Sequence, residues 1–265
     1  MTVPTDEEVL ERLSKEFHDL VPSGSAIARE AVASALGKHK DDTDWIKENF
    51  SVLVEQVQES AYRKYQEVER AAGRRAIENV FLSLAGEKAS AREAVNTVGR
   101  YFHALDRFFL GLAQGRRPRA GKAFELLLRE LFRRLRYPFD AHPLIDGQPD
   151  FVLPSLDHFR RYPSDCIIFT VKRTLRERWR QIVTEGTRGL GFYLATIDED
   201  VAKRDLNEMR RSRITLVVPA RLKRALANYK TAPNVISFEL FFRHHLNPAM
   251  ERWRESGVIR NADDR

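Results

Sequence analysis

An α/β core preceded by a helical region is the fold class this sequence predicts, and three observations carry the expectation. From Asp6 to about Leu112 apolar residues recur at helical spacing: Val9, Leu10, Leu13 and Phe17, then Ile46, Phe50, Val52, Leu53 and Val57, and later Val80, Phe81 and Leu84. Beyond that point helical stretches alternate with short β-rich runs, the pattern of a largely parallel or mixed sheet flanked by helices. The chain of 265 residues, 43% of them hydrophobic and 16 of them Phe, is long and apolar enough to build a sizeable core. The expected organisation is a helical N-terminal region over 1–112 and an α/β core over 113–265. No internal repeat or low-complexity tract interrupts it.

Within the first region, breaks are expected at Val21-Pro22-Ser23-Gly24-Ser25, where Ser25 is placed to cap the next helix, at His39 to Thr43, and at Gly86 to Ser90. The stretch from Gln114 to Lys122 reads as a loop, because Gly115, Pro118 and Gly121 punctuate it. A helix from about Lys122 to Leu135 should then lead to the strand Phe151-Val152-Leu153. Next come a strand from Cys166 to Val171, a helix over Leu175 to Thr184 and a strand from Phe192 to Ile197. A helix over Val201 to Arg211, a strand from Ile214 to Val218, a helix near Leu222 to Tyr229, and Val235-Ile236 before a last helix from Phe238 complete the core.

Charge narrows the partner. Lys and Arg number 45 against 38 Asp and Glu, for a formal charge of +7 and a pI near 9.6, which favours a polyanion without proving one. Arg116, Arg117, Arg119 and Lys122 lie in the glycine-bracketed stretch, a candidate clamp on a phosphate backbone; a solvated charge run is the alternative. Cys166 is the single cysteine, which excludes an internal disulfide and a cysteine zinc finger and suggests a buried thiol. Met1 to Leu10 has no signal-peptide core and no later run is long enough for a membrane helix, so a cytoplasmic protein is expected. His244-His245 and the other histidines show no ligand spacing with a third partner, and no zinc site is assigned. No glycine-rich loop after a strand suits a methyl-donor cofactor.

The chemistry concentrates around Asp150 and Lys172. Asp150 follows Pro149 and opens the run Phe151-Val152-Leu153, so its carboxylate sits at a strand start. Lys172 ends the run Ile167 to Val171, and adjacent strands would bring its ammonium close to Asp150. Hydrolysing a phosphodiester needs a cation to offset charge at phosphorus, an activated water and a stabilised leaving oxygen. Carboxylates hold Mg²⁺ through oxygen, and a lysine can orient the water or the phosphate. Arg176, Glu177 and Arg178 then carry the donor and acceptor types suited to guanine O6/N7 and cytosine N4. Spacing alone leaves chance occurrence and an ordinary charged helix start open.

Taken together, Pro149-Asp150, Thr170-Val171-Lys172, Arg176-Glu177-Arg178-Trp179-Arg180-Gln181 and Glu185 resemble the PD-(D/E)XK type II restriction endonucleases of the CCGG/CCNGG/CCWGG group. Arg119 to Glu125 resembles the family's basic segment and first core helix. Glu208 to Ser212 with Leu216 to Pro219 resembles the segment after the site. The likeness covers roughly residues 114 to 225. It implies a restriction-endonuclease-like core with a central mixed sheet, the catalytic set Asp150, Lys172, Glu185 and Glu125, and Mg²⁺ held by Asp150 and Glu185. Thr170 stands where the family usually has an acid, and Glu185 matches the carboxylate that replaces it in this group. A surface carboxylate flanked by Lys122 and Arg129 is the competing view of Glu125.

By the same resemblance Arg176 and Arg178 contact guanine, Glu177 accepts from cytosine, and Gln114 reaches the target from the minor groove. Tyr62, Arg63 and Tyr65 are candidates to stack an extruded base, with ordinary packing as the alternative. Trp179 is expected to anchor its helix in the core. The implied protein is a homodimeric endonuclease acting on double-stranded DNA, with the helical region as a dimerisation and DNA-binding arm. Two other classes remain open at this point: a catalytically inactive sequence-specific DNA-binding protein, and a repair or structure-specific nuclease of the same fold.

Overall fold

The computed structural model describes residues 3–86, 88–145, 148–175 and 191–259. The chain forms two compact units, one from Met1–Ile27 with Glu59–Lys122 and the other from Ala28–Gln58 with Ala123–Arg265. Residues 28–58, expected with the N-terminal helical region, therefore belong to the unit that carries the sheet.

Helices dominate before the sheet: α1 (Asp6–Leu20), α2 (Gly24–Leu36), α3 (Thr43–Glu48), α4 (Phe50–Ala85), α5 (Ala91–Arg100) and α6 (Phe102–Arg134). In the first unit α1 opens with a capping box, in which Glu8 N donates to Thr5 Oγ1 at 3.3 Å and Thr5 N donates to Glu8 Oε2 at 2.8 Å. Ser90 and Glu93 repeat the device at α5. The apolar stripe of α1 (Val9, Leu13, Phe17) packs with Ala72, Ala76 and Val80 of α4 and with Ala104, Leu105 and Phe108 of α6. At α2 the capping hydroxyl is that of Ser23, which accepts from Ala26 N at 3.2 Å, and not that of Ser25.

One expectation fails outright in this unit. Gln114 to Lys122 is not a loop but part of α6, which runs unbroken through Gly115, Pro118 and Gly121. Arg, Gln, Ala, Lys and Leu on both sides are strong helix formers, and a proline removes one backbone donor without forbidding the helix around it. At Gly115 the missing side chain makes room for a neighbour, since a Cβ there would stand 3.2 Å from the Arg119 guanidinium.

The second unit holds a mixed sheet of β1 (Asp140–Ala141), β2 (Phe151–Leu153), β3 (Ile167–Val171), β4 (Gly191–Ala195), β5 (Ile214–Val218) and β6 (Val235–Ser237), in that spatial order. β1, β2 and β3 pair antiparallel, and β3 to β6 pair parallel. Alternation gives the sheet two apolar faces. Ile168, Phe192, Leu194, Ile214, Leu216, Val218 and Val235 meet Leu206 and Met209 of α8 (Lys203–Arg211) and Tyr229 of α10 (Ala227–Thr231). On the opposite face Phe132 of α6 lies 5.8 Å from Phe151 and 5.4 Å from Phe169, ring centre to ring centre, and 6.1 Å from Phe50.

Among the described residues the remaining α-helices are α7 (Leu156–Arg161), α9 (Ala220–Ala225), α11 (Phe238–Phe241) and α12 (Asn247–Glu255), the last two joined by a π-helical turn over Phe242–Leu246. The single helix expected near Leu222 to Tyr229 is instead the pair α9 and α10, split at Leu226, whose backbone is extended. The helix expected over Leu175 to Thr184 lies outside the described residues except at its first position. Cys166 is the buried thiol the sequence suggested, and burial pushes its pKa up to about 12. Among the described residues no helix is long and apolar enough to cross a membrane.

Because Phe132 is fully buried at the centre of this aromatic cluster, Phe132→Ala should lower the free energy of unfolding by about 3 to 5 kcal/mol in a urea titration.

Candidate active site

Antiparallel pairing of β2 on β3 builds the site. The register Phe151↔Phe169 continues outward to set Asp150, one residue before β2, opposite Thr170, and from there its side chain meets the last residue of β3 and the first beyond it. Val171 N donates to Asp150 Oδ2 at 2.7 Å, and Lys172 Nζ reaches the same oxygen at 3.4 Å. The expected pairing of carboxylate and ammonium is therefore present. Asp150 is buried, with 7% of its surface exposed, while Lys172 keeps about a third of its side chain in solvent. Burial pushes the Asp150 carboxyl above its ordinary range, against the pull of Lys172 and the Val171 N–H; Glu125 nearby pushes the same way as burial.

Glu125 comes from α6 and is also buried, so the surface-carboxylate view of it does not hold. His142 Nε2 stands 2.9 Å from its Oε1. That histidine follows β1 directly and its N–H donates to the Asp150 carbonyl at 2.9 Å, extending the β1–β2 ladder by one residue. Its backbone has φ +50, a left-handed conformation uncommon for residues other than glycine. One ligand atom from each of Glu125, His142 and Asp150 falls within 4.8 Å of the others. Two buried carboxylates beside an imidazole make a donor set that fits a divalent cation, since like charges held together out of water are stabilised by a shared positive ion.

Asp150, Lys172 and Glu125 thus come together as expected. Glu185, Arg176, Glu177, Arg178 and Trp179 lie outside the described residues. His142 escaped the sequence reading because β1 is only two residues long and no second histidine sits at ligand spacing from it. Its signal was weak: one histidine a short way before Asp150, next to a proline.

Gln114, Arg116, Arg117, Arg119 and Lys122 belong to the first unit, and their expected role as a glycine-loop phosphate clamp needs correction. They are helical, which removes the close backbone approach. Two of the arginines also serve a buried carboxylate: Glu69, 5% exposed, accepts from Arg116 at 2.7 Å and has Arg119 at 3.9 Å. Tyr65 donates to Glu69 at 2.8 Å and is hydrogen bonded to Arg119, whose guanidinium also lies over its ring. Burial, followed by the hydrogen bond to Glu69, pushes the Tyr65 hydroxyl above its usual range. Tyr65 is therefore tied into an internal network, whereas Tyr62 and Arg63 are exposed.

A carboxyl whose folded pKa is raised contributes most to stability below its unfolded pKa, and that contribution is lost as pH rises through the folded value. Asp150→Asn removes this loss and keeps an acceptor for Val171 N–H. Thermal melts of the metal-free protein should show the variant equal to or above wild type at pH 7, the gap closing in acid. A lower melting temperature at neutral pH would mean that the attraction of Lys172 outweighs burial.

Residues 85–242 match the family described as EcoRII C terminal. The type II restriction enzyme EcoRII of Escherichia coli is 32% identical over 156 residues, 55% of this chain. That match spans 37% of EcoRII, so the chain covers well under half of this relative. The type II restriction enzyme SsoII of Shigella sonnei is 24% identical over 242 residues, 86% of this chain and 77% of SsoII. Among solved structures, metal-depleted Ecl18kI in complex with uncleaved, modified DNA superimposes with TM-score 0.76 and 23% identity over 98% of this chain and 88% of its own. A PspGI restriction endonuclease–substrate DNA complex gives TM-score 0.56 and 18% identity over 86% of this chain and 93% of its own. At these identities the two structures establish the fold, a restriction-endonuclease sheet flanked by helices. With the family match running through more than half of its length, this chain belongs to the EcoRII C-terminal family, alongside type II restriction enzymes.

Proposed function

We propose that the chain is a Mg²⁺-dependent type II restriction endonuclease, a homodimer that cuts both strands of a short palindromic G/C-rich site of CCNGG, CCWGG or CCGG type. The observation that carries this reading is the Asp150 carboxylate 3.4 Å from the Lys172 ammonium at the ends of adjacent strands, with Glu125 within reach of the same ion. An ion pair made only for stability would not need a second buried carboxylate beside it. Asp150 and Glu185 are the residues assigned to hold Mg²⁺, with Glu125 close to Asp150. The bound cation would offset the charge that builds on the phosphate as water attacks phosphorus in line with the leaving oxygen. Lys172, partly hydrated and hydrogen bonded to Asp150, orients the attacking water or the scissile phosphate.

For base reading we assign Arg176 and Arg178 to guanine and Glu177 to cytosine, with Gln114 on the minor-groove side. The DNA-bound relatives Ecl18kI and PspGI support a duplex partner. Of the residues considered for stacking an extruded base, Tyr62 and Arg63 have the exposure the role requires, while the ties of Tyr65 to Glu69 and Arg119 count against it. Arg116 and Arg119 would meet a phosphate only by sharing or leaving Glu69. A palindromic site is matched by a two-fold protein, which is the argument for a homodimer.

Digesting a plasmid of known sequence with Mg²⁺ and mapping the fragment ends tests the whole reading; fragments without a common terminal sequence would overturn it. Lys172→Ala and Asp150→Ala should each abolish cleavage and leave sequence-specific gel shifts in place. Arg176→Ala should reduce discrimination at one G·C pair by about 1 to 3 kcal/mol in competition binding against single-substituted duplexes.

A further inference from the structure

The proposed reaction assigns no role to His142, yet its ring stands beside the carboxylate pair of Glu125 and Asp150. Its Nε2 lies 2.9 Å from Glu125 Oε1, and within 4.8 Å of it lies an oxygen of Asp150. Its place is set from two sides: the backbone N–H is tied to the Asp150 carbonyl, and the ring meets a carboxylate on α6. With 46% of its side chain exposed, the imidazole forms the open wall of a cluster whose carboxylates are buried.

A second observation points into the same place. Thr170 is 2% exposed, and its Oγ1 has no hydrogen-bond partner among the described residues. The alternation of β3 puts Thr170 on the face that carries Lys172, and the β2–β3 register continues to put it opposite Asp150. A buried hydroxyl left without a partner costs free energy unless a bound ion or its water supplies one. Oxygen donors and an imidazole therefore gather beside Asp150, with the Thr170 hydroxyl on the strand position opposite it.

We infer that His142 is a ligand of the cation held with Glu125 and Asp150, and that this nitrogen makes the centre favour manganese-class ions over magnesium. The inference rests on reading the cluster as the nuclease's metal centre. Mn²⁺ shares the oxygen preference of Mg²⁺ but belongs to the transition-metal affinity series and accepts an imidazole more readily, whereas Mg²⁺ selects oxygen and water. With His142 the set is mixed oxygen and nitrogen; without it the set is oxygen alone. The histidine thus sets which ion is preferred, while the carboxylates set whether any ion binds.

The test uses the full chain with Mn²⁺ or Mg²⁺ alone and reads binding, not cleavage. Titration calorimetry should show Mn²⁺ bound more tightly than Mg²⁺ by wild type. In His142→Ala and His142→Gln Mn²⁺ affinity should fall about tenfold or more with Mg²⁺ affinity changed little. Pulsed electron paramagnetic resonance of the Mn²⁺ complex should show coupling to a histidine nitrogen in wild type and none in either variant. An unchanged Mn²⁺ to Mg²⁺ ratio in both variants, or a wild-type spectrum without nitrogen coupling, overturns the inference. Asp150→Asn separates the two readings. If it abolishes Mn²⁺ binding while the His142 variants leave selectivity intact, the metal centre stands and the ligand assignment falls; if Mn²⁺ binds as tightly as to wild type, with a nitrogen coupling that the His142 variants remove, the histidine is a ligand and the reading of Asp150 as part of the nuclease's metal centre falls.

Discussion

Asp150 must hold a carboxylate at a site almost closed to water, and the rest of the second unit is arranged around that requirement. Burial alone would leave the charge unsupported. The support comes from the end of β3, where Val171 N–H and Lys172 Nζ both point at Asp150 Oδ2. Both donors are available only in one register of β2 on β3, because a slip of one residue would send Asp150 to the other face. The aromatic side of the sheet enforces that register: Phe151 and Phe169 are paired across the strands, and Phe132 of α6 packs on both. Since Glu125 is carried by the same helix, seven residues and about two turns before Phe132 on the same face, the packing that holds the strands in step also delivers the second carboxylate.

Much of this was legible because the sequence expresses it locally. The fully buried five-residue run of β3 and the all-buried run of β2 show as apolar stretches with a charged residue at one end, and the charged ends are Lys172 and Asp150. What stayed hidden depends on pairing across the chain. β1 has two residues and exists only because β2 lies beside it, so His142, placed by that pairing, carried no pattern of its own. Gln114 to Lys122 misled for the opposite reason. Gly and Pro are strong local breakers, but the helix formers and apolar rows on either side, continuous through α6, outweighed three weak positions.

The formal charge of +7 counts every cation as available to a polyanion, and the structure shows that several are already paired with carboxylates. Arg116 and Arg119 enclose Glu69 in the first unit; in the second, Arg221 bridges Glu55 and Glu199, and Arg252 holds Asp165 at 2.6 Å beside Trp253. At Glu69, which is buried, such an arginine is a weaker phosphate partner than its count suggests, because meeting the phosphate leaves that carboxylate with less compensation; at the more exposed acids the competition is milder. Affinity for nucleic acid in this chain therefore follows from which cations stand clear of acidic neighbours, not from the excess of basic residues.

In the proposed reaction the two oxygens of Asp150 have separate duties, and this division explains why the lysine belongs at the strand end. Oδ2 is occupied by Val171 N–H and Lys172, which leaves Oδ1 to meet a cation. A carboxylate gripped on one oxygen cannot rotate to chelate with both, so its geometry toward an ion is set before the ion arrives. Lys172 gains in turn: anchored at 3.4 Å to a fixed oxygen yet partly in solvent, its ammonium keeps donors for a water or a phosphate while its position is held by the backbone of β3. Moving the lysine by one residue would turn its side chain to the other face of the sheet and break the ion pair, while the backbone N–H of position 171 would still hold Oδ2.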